Sequence, residues 1–320
     1  MKIKFYPQEA DQRFVNHTIS VNEFFMLHED FVNDKTLEGL ASRTISDHLK
    51  HMEYLKNYLI KEYQLNDKLE KGMLKGYVYF MMNDRQLKPC TINIRLRTLK
   101  CYLNWLYTND HIRENLALTF SLVKVAQDTI QPLNKTEIRK MLDSCNMKTY
   151  AGFRDATIML TILDTGIRIN ELCETMIDDI DIKNKLLRVR AEVSKTRVER
   201  LLPLSQQTLS LLKQLVDIAK DNSCQYVFNS NNGIKVTTEY IIRNFQRHGE
   251  KTKLGKRCTP HVWRHTFAVE AVRKGMDVFT LQRILGHTNI QTTRQYVQLQ
   301  TEDLQRKHTQ ANILKSFIDF

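Results

Sequence analysis

A chain of 320 residues is longer than one ordinary hydrophobic core sustains and points to two domains. Its formal net charge of +12 favours a polyanionic partner, nucleic acid first, over a merely soluble basic surface. Only ten glycines and five prolines argue against disorder and against a turn-rich β fold, which leaves a mostly helical protein. Six cysteines are scattered without a CxxC pair, so they read as free thiols in a reducing compartment and not as a zinc site. No run approaches 18 apolar residues, and Met1–Pro7 lacks a signal-peptide core, so the expectation is a protein neither exported nor membrane-spanning.

In chain order, residues 21–108 read as four amphipathic helices. Val21, Phe24, Phe25, His28, Phe31 and Val32 share one face of the first. Ile45, Leu49, Met52, Leu55 and Leu59 mark the second, and Leu69, Met73, Tyr77, Phe80 and Met81 the third. The fourth opens at Pro89, a residue suited to a first turn, and runs through Ile92, Leu96, Leu99, Leu103 and Leu106. Arg43, Lys50 and Lys56 on the second helix and Arg95, Arg97 and Lys100 on the fourth interleave with Tyr102, Trp105 and Tyr107. Such a surface is either a solvated helix face or a phosphate-binding one, and the charges alone do not choose.

Residues 109–134 are polar and weakly periodic, and a linker is placed at 115–132. Asn134 with Glu137 three residues on forms a capping-box pattern that opens a second domain. Helices are expected near 135–145 and 151–164. Two short strands follow, at 186–190 and 200–204, around a turn at 191–198. Further helices are expected near 205–220, 237–250, 261–274, 277–285, 290–297 and 301–317.

Breaking a phosphodiester without a metal requires a nucleophile, donors for the charge that builds on the non-bridging oxygens, and a proton for the leaving oxygen. Guanidiniums bind such oxygens bidentately, which an ammonium cannot do. A tyrosine hydroxyl, with an ordinary pKa of about 10, attacks only with cations and a base nearby. The chain carries candidates for each part. Arg168 follows Thr165-Gly166, His261 and Arg264 stand one helical turn apart after Pro260, and His287 and Tyr296 come later. Singly, each has an ordinary reading: a helix-start arginine pairing with Glu171, a capped-helix histidine, a core tyrosine.

Jointly, their order and spacing resemble the tyrosine recombinase (phage-integrase, Xer-like) family. Thr165-Gly166-Ile167-Arg168-Ile169-Asn170-Glu171-Leu172 is similar to its first arginine box. His261-Val262-Trp263-Arg264-His265-Thr266-Phe267-Ala268 is similar to its HxLRHTFA box. Leu285-Gly286-His287, with Tyr296 nine residues beyond, is similar to its LGH…Y box, and Lys195, eight residues before Pro203, to its hairpin lysine. The chain departs from the pattern at Ser194 and Thr196, where glycines often flank the lysine, at Trp263 for a common leucine, and at Asn115-Leu116 for Asn-Pro.

The resemblance implies a mainly α fold with a small antiparallel β-sheet. The implied organisation is an N-terminal segment (1–20), a helical core-binding, SAM-like DNA-binding domain (21–114), the linker (115–132), a tyrosine-recombinase catalytic domain (133–302) and a tail (303–320). Residues 1–20 leave no room for the arm-site domain of larger members, and the tail, with Leu304, Ile313, Leu314, Phe317 and Ile318, is expected to dock on a neighbouring protomer. The implied roles are Tyr296 as nucleophile, Arg168 and Arg264 as phosphate clamp, Lys195 as proton donor to the 5′-hydroxyl, His261 as general acid/base, His287 as oxygen donor and Glu171 as support. Arg43, Arg95, Arg97 and Lys100 are expected to contact DNA. No metal, ATP or other cofactor is implied. The implied partners are double-stranded recombination sites, a homotetramer on DNA, and accessory DNA-bending or directionality factors. The expected location is a bacterial-type cytoplasm, associated with the nucleoid. Integration or transposition of a mobile element is favoured over dimer resolution of the Xer type, and a DNA-binding relative that no longer cleaves is the alternative of a different class.

Overall fold

A computed structural model describes residues 18–125, 130–294, 296 and 308–309. The chain divides into two compact units, Met1–Asp128 and Thr129–Phe320. The architecture is mainly helical, with a single small sheet among the described residues. No helix among them is long and apolar enough to cross a membrane.

The first unit is built from α1 (Val21–Leu37), α2 (Ser42–Glu62), α3 (Lys71–Asn83) and α4 (Pro89–Thr108). Ser20 and Glu23 close a capping box at the start of α1, satisfying donors that a helix N-terminus otherwise leaves orphaned. Pro89 occupies the first turn of α4, where its missing N–H costs nothing. The core is aromatic: Phe24, Phe31, Tyr102 and Trp105 pack with ring centroids 5.0–6.1 Å apart. The inward face of α2 keeps Met52, Leu55 and Leu59 of the expected one and adds His48 and Tyr58, while Ile45 is only half-buried. Leu49 is 51% exposed, and His48 turns inward instead, its ring 5.1 Å from that of Phe31.

The first unit also extends further along the chain than the polar composition suggests. A short 3₁₀ turn (Leu116–Leu118) follows α4, and Leu116, Ala117 and Phe120 are buried in the same core. Asn93 binds both the N–H and the carbonyl of Val123, so the segment expected as linker stays on this unit at least to Val123.

The second unit begins with α5 (Lys135–Asp143), whose capping box joins Asn134 and Glu137. It continues through α6 (Tyr150–Thr165) and α7 (Ile169–Cys173) to a three-stranded antiparallel sheet. To the two expected strands, β2 (Leu186–Val189) and β3 (Arg200–Pro203), the fold adds β1 (Ile180–Asp181). The register places Ile180 opposite Leu187, and Leu187 opposite Leu202. Leu187 and Leu202 face the core and are fully buried. Then come α8 (Gln206–Asp221), α9 (Thr238–Thr252), α10 (Pro260–Arg273), α11 (Val278–Leu285) and α12 (Gln291–Arg294). Trp263 of α10 is wholly buried, edge-on to Phe245 of α9. Of the expected tail only His308 and Thr309 lie within the described residues.

Candidate active site

The site begins where α6 stops. Gly166 ends the helix with φ +63°, a conformation that L side chains rarely adopt. A Cβ there would also run into the Phe267 ring and Leu285. The chain leaves this turn with Arg168 as the N-cap of α7. Glu171, in the first turn of that helix, accepts from the Arg168 N–H (3.1 Å) and from Arg168 Nη1 (3.2 Å).

Arg264 rises from α10 and is 6% exposed. Its Nη1 donates to the Gly166 carbonyl, and its Nη2 to the Leu285 carbonyl at 2.8 Å. The same Nη2 lies 3.1 Å from His287 Nε2. Arg168 Nη2 donates to the Gly286 carbonyl at 2.7 Å. Arginines from two distant segments therefore meet on the C-terminal turn of α11, where a helix presents orphan carbonyls and the negative end of its dipole. Burial and the neighbouring Arg168 push the Arg264 pKa down to about 9, which still leaves it charged at neutral pH.

His287 follows directly from this turn. Its Nδ1 lies 2.9 Å from Thr293 Oγ1, and Thr293 is fully buried. Burial, with the charges of Arg264, Arg168 and Arg200, lowers its pKa to about 4, so the imidazole is neutral at pH 7. His261 stands exposed one turn before Arg264, and desolvation together with the Arg264 charge lowers its pKa as well.

Tyr296 is 9% exposed and packs with Ala268, Ala271, Val272, Leu281 and Leu285. Its ring is 5.2 Å from that of His265, and it lies close enough to Arg264 to act on that charge. Lys195 stands exposed on the turn between β2 and β3, and no hydrogen bond joins it to the arginines among the described residues. That turn closes without flanking glycines. Ser194 is buried, its Oγ lies 3.0 Å from Thr196 Oγ1, and the left-handed position falls to Arg197 at φ +53°.

Of the basic residues in the first unit, Arg43 is freely exposed beside Asp47 at 3.7 Å, and Arg97 is exposed. Arg95 is half-buried with its guanidinium 4.0 Å from the Tyr54 ring centre. Lys100 is turned inward: it donates to the Ala117 carbonyl at 2.5 Å and lies over the Phe120 ring.

Motif reading missed Arg200 at the head of β3. Its Nε donates to the Ile284 carbonyl at 2.9 Å, and its Nη1 and Nη2 to the two oxygens of Glu171 at 3.0 and 2.5 Å. The available signal was an arginine opening an otherwise apolar strand. Arg168, Arg200 and Arg264 around the single carboxylate of Glu171 leave a net positive, partly buried cluster suited to an oxyanion.

Comparison with known proteins identifies the family. Residues 131–303 match the phage integrase family, and residues 23–122 match the phage integrase SAM-like domain. The chain belongs to the phage integrase family, that of the tyrosine recombinases, enzymes that cleave and rejoin DNA. It is 27% identical over 286 residues to the tyrosine recombinase XerC of Myxococcus xanthus, covering 86% of this chain and 93% of that one. It is 26% identical over 296 residues to the tyrosine recombinase XerA of Saccharolobus solfataricus, covering 89% and 92%. Among solved structures, its fold is similar to that of the Tn1549 transposon integrase in complex with a circular intermediate DNA. The TM-score is 0.74 at 21% identity, over 91% of this chain and 99% of that one. It is also similar to the XerH site-specific recombinase bound to a palindromic difH substrate, with a TM-score of 0.68 at 21% identity over 85% and 80%.

Proposed function

We propose that this chain is a site-specific recombinase that cuts DNA by attack of Tyr296 on a backbone phosphate. The observation that carries the reading is the convergence of Arg168, Arg264 and His287 on the last turn of α11, with Tyr296 packed on the same helix. The Tyr296 oxygen bonds to phosphorus, the bond to the 5′-oxygen breaks, and a 3′-phosphotyrosyl ester forms. Arg168 and Arg264 take the non-bridging oxygens, where developing charge is greatest. His261 removes the tyrosine proton, and Lys195 supplies one to the leaving 5′-oxygen, which departs as a hydroxyl. His287 donates to a phosphate oxygen, and Glu171 holds Arg168 in orientation. The ester keeps the energy of the broken bond, so rejoining needs neither ATP nor a metal.

Exposed Arg43 and Arg97, with the rest of the +12 charge, supply contacts to the DNA backbone. Four such sites, one per strand cut in two duplexes, make a homotetramer on paired recombination sites the working assembly, with accessory DNA-bending or directionality factors compatible with it. Integration, excision or transposition of a mobile element is the favoured setting, because Ser194, Thr196 and Leu116 depart from the dimer-resolution pattern. Similarity to chains named XerC and XerA favours the second reading, resolution of chromosome or plasmid dimers. A cytoplasmic, nucleoid-bound location follows from either.

The test is a suicide duplex, nicked beside the crossover and incubated with the protein in excess chelator. A covalent complex on the 3′-phosphate side of the cut is expected. Binding without any covalent complex would instead mark a recombinase relative that no longer cleaves.

A further inference from the structure

Three consecutive carbonyls at the end of α11 are each held by a different arginine: Ile284 by Arg200, Leu285 by Arg264 and Gly286 by Arg168. Two of these arginines have a part in the reading above. The third, Arg200, has none, and its geometry differs from theirs. All three of its nitrogens point inward, and its side chain is 10% exposed against 23% for Arg168. Among the described residues Arg168 and Arg264 engage only their Nη atoms in side-chain hydrogen bonds, whereas Arg200 commits its Nε as well, so it is the guanidinium most fully spent within the protein.

What it does hold is Glu171. That carboxylate is 1% exposed and receives four hydrogen bonds, two from Arg200 and two from Arg168. Burial works to raise its pKa, but the hydrogen bonds and charge of Arg200, with Arg168, keep it below the ordinary carboxylate range. A buried carboxylate that loses one cation leans on the next. Here the next hydrogen-bonding cation is Arg168, and a guanidinium paired face to face with a carboxylate has lost the fork that binds phosphate.

We propose that Arg200 is a positioning residue for strand cleavage: by taking both oxygens of Glu171 and the Ile284 carbonyl, it keeps Arg168 open to the scissile phosphate and fixes the turn that carries His287. The inference rests on the recombinase reading above. Arg200 acts through Glu171 and the α11 turn and does not touch the DNA.

The experiment compares wild type, Arg200→Gln and Arg200→Gln with Glu171→Gln on a suicide duplex under single-turnover conditions, alongside gel-shift titration on a half-site. The double variant keeps two guanidiniums and no carboxylate, the same local excess of positive charge as the wild type. Arg200→Gln is expected to slow cleavage about 10–100-fold, as loss of an outer supporting partner does at metal sites. Half-site affinity is expected to stay within about twofold of wild type, because the Nε and both Nη atoms of Arg200 are already committed to Ile284 and Glu171. Adding Glu171→Gln is expected to make cleavage faster than in the single variant. A merely structural role for Arg200 predicts the opposite, since the second substitution removes more of the same network. Cleavage by Arg200→Gln within about twofold of wild type, or a double variant as slow as the single one, overturns the proposal. Should Arg200→Gln lose its cooperative thermal transition, Arg200→Lys carries the test: one ammonium cannot hold two oxygens and a carbonyl, so slow cleavage is expected and wild-type cleavage overturns it. The wild-type lane separates the two layers. Absence of a covalent complex there overturns the recombinase reading itself, whereas a normal complex with fast Arg200 variants overturns only this inference.

Discussion

Arg264 Nη2 lies 3.1 Å from His287 Nε2, and because a guanidinium only donates, that imidazole nitrogen is an acceptor. The proton of the neutral ring therefore sits on Nδ1, which donates to Thr293 Oγ1 at 2.9 Å. For His287 to donate to a phosphate oxygen through Nε2, the ring must leave Arg264 and gain a proton there, and an arriving phosphate favours both steps.

His287 is accordingly expected to stay neutral in the DNA-free protein from pH 8 down to about 5, and to titrate near 4. Its folded pKa is lowered from 6.5, so its contribution to stability is present above that value and is lost as the pH falls towards 4. ¹⁵N shifts of the ring nitrogens report both the tautomer and the titration, and a half-site duplex should move the titration upward. A midpoint near 6.5 without DNA would contradict the geometry.

Arg168→Lys and Arg264→Lys should each slow cleavage by roughly 10²–10³-fold while half-site binding persists. The two should differ in stability. Arg264 is 6% exposed and caps the Gly166 and Leu285 carbonyls, so its replacement should lower Tm more than that of Arg168, whose side chain is 23% exposed. Equal Tm losses, or single-turnover rates near wild type, would count against the clamp as drawn.

Gly286 closes α11 at φ +61°, and a Cβ there would lie 3.2 Å from Arg168 Nη1 and from Arg200 Nε. Gly286→Ala is expected to cost roughly 1–2 kcal/mol from backbone strain alone. It should also slow cleavage, because the added carbon displaces two of the guanidiniums. Thermal melts and single-turnover rates check the two effects separately, and an alanine variant with unaltered cleavage would show that the turn does not set the arginines.

The first unit should be acid-sensitive. His28 is buried with its Nε2 unpartnered, and burial with the nearby His48 lowers its pKa from 6.5 to about 4. His48 is lowered for the same first reason. Both favour a neutral ring in the fold, so stability is full above pH 6.5 and falls below it, by roughly 3 kcal/mol for His28 alone by pH 4. The two tryptophans, Trp105 and Trp263, lie one in each unit. In a Trp263→Phe chain, fluorescence-monitored urea melts at pH 7 and pH 5 therefore report the first unit. An unchanged midpoint would mean that these histidines protonate freely in the fold.

Much of this arrangement is legible in the residues. The four helices of the first unit follow from apolar spacing, and the meeting of Arg168, Arg264 and His287 from the order of short motifs. The face of α2 slipped at Leu49 because a histidine packed among aromatic rings satisfies the same period as a leucine. Lys100 reads as surface charge, yet its ammonium is committed to the Ala117 carbonyl, a partner that spacing does not reveal. Strand β1 has two residues, too few for any alternation to register. Arg200 escaped notice because its meaning lies in Glu171, 29 positions earlier, and in a main-chain oxygen 84 positions later.

The most direct measurement concerns Tyr296 itself. Wild type and Tyr296→Phe are incubated with the nicked suicide duplex, resolved on a denaturing gel, and titrated against the same duplex by gel shift. Covalent complex is expected for the wild type alone, with DNA affinity nearly equal in the two, since only a hydroxyl is removed and the cationic surface remains. Covalent complex persisting in Tyr296→Phe would place the nucleophile on another residue and contradict the account at its centre.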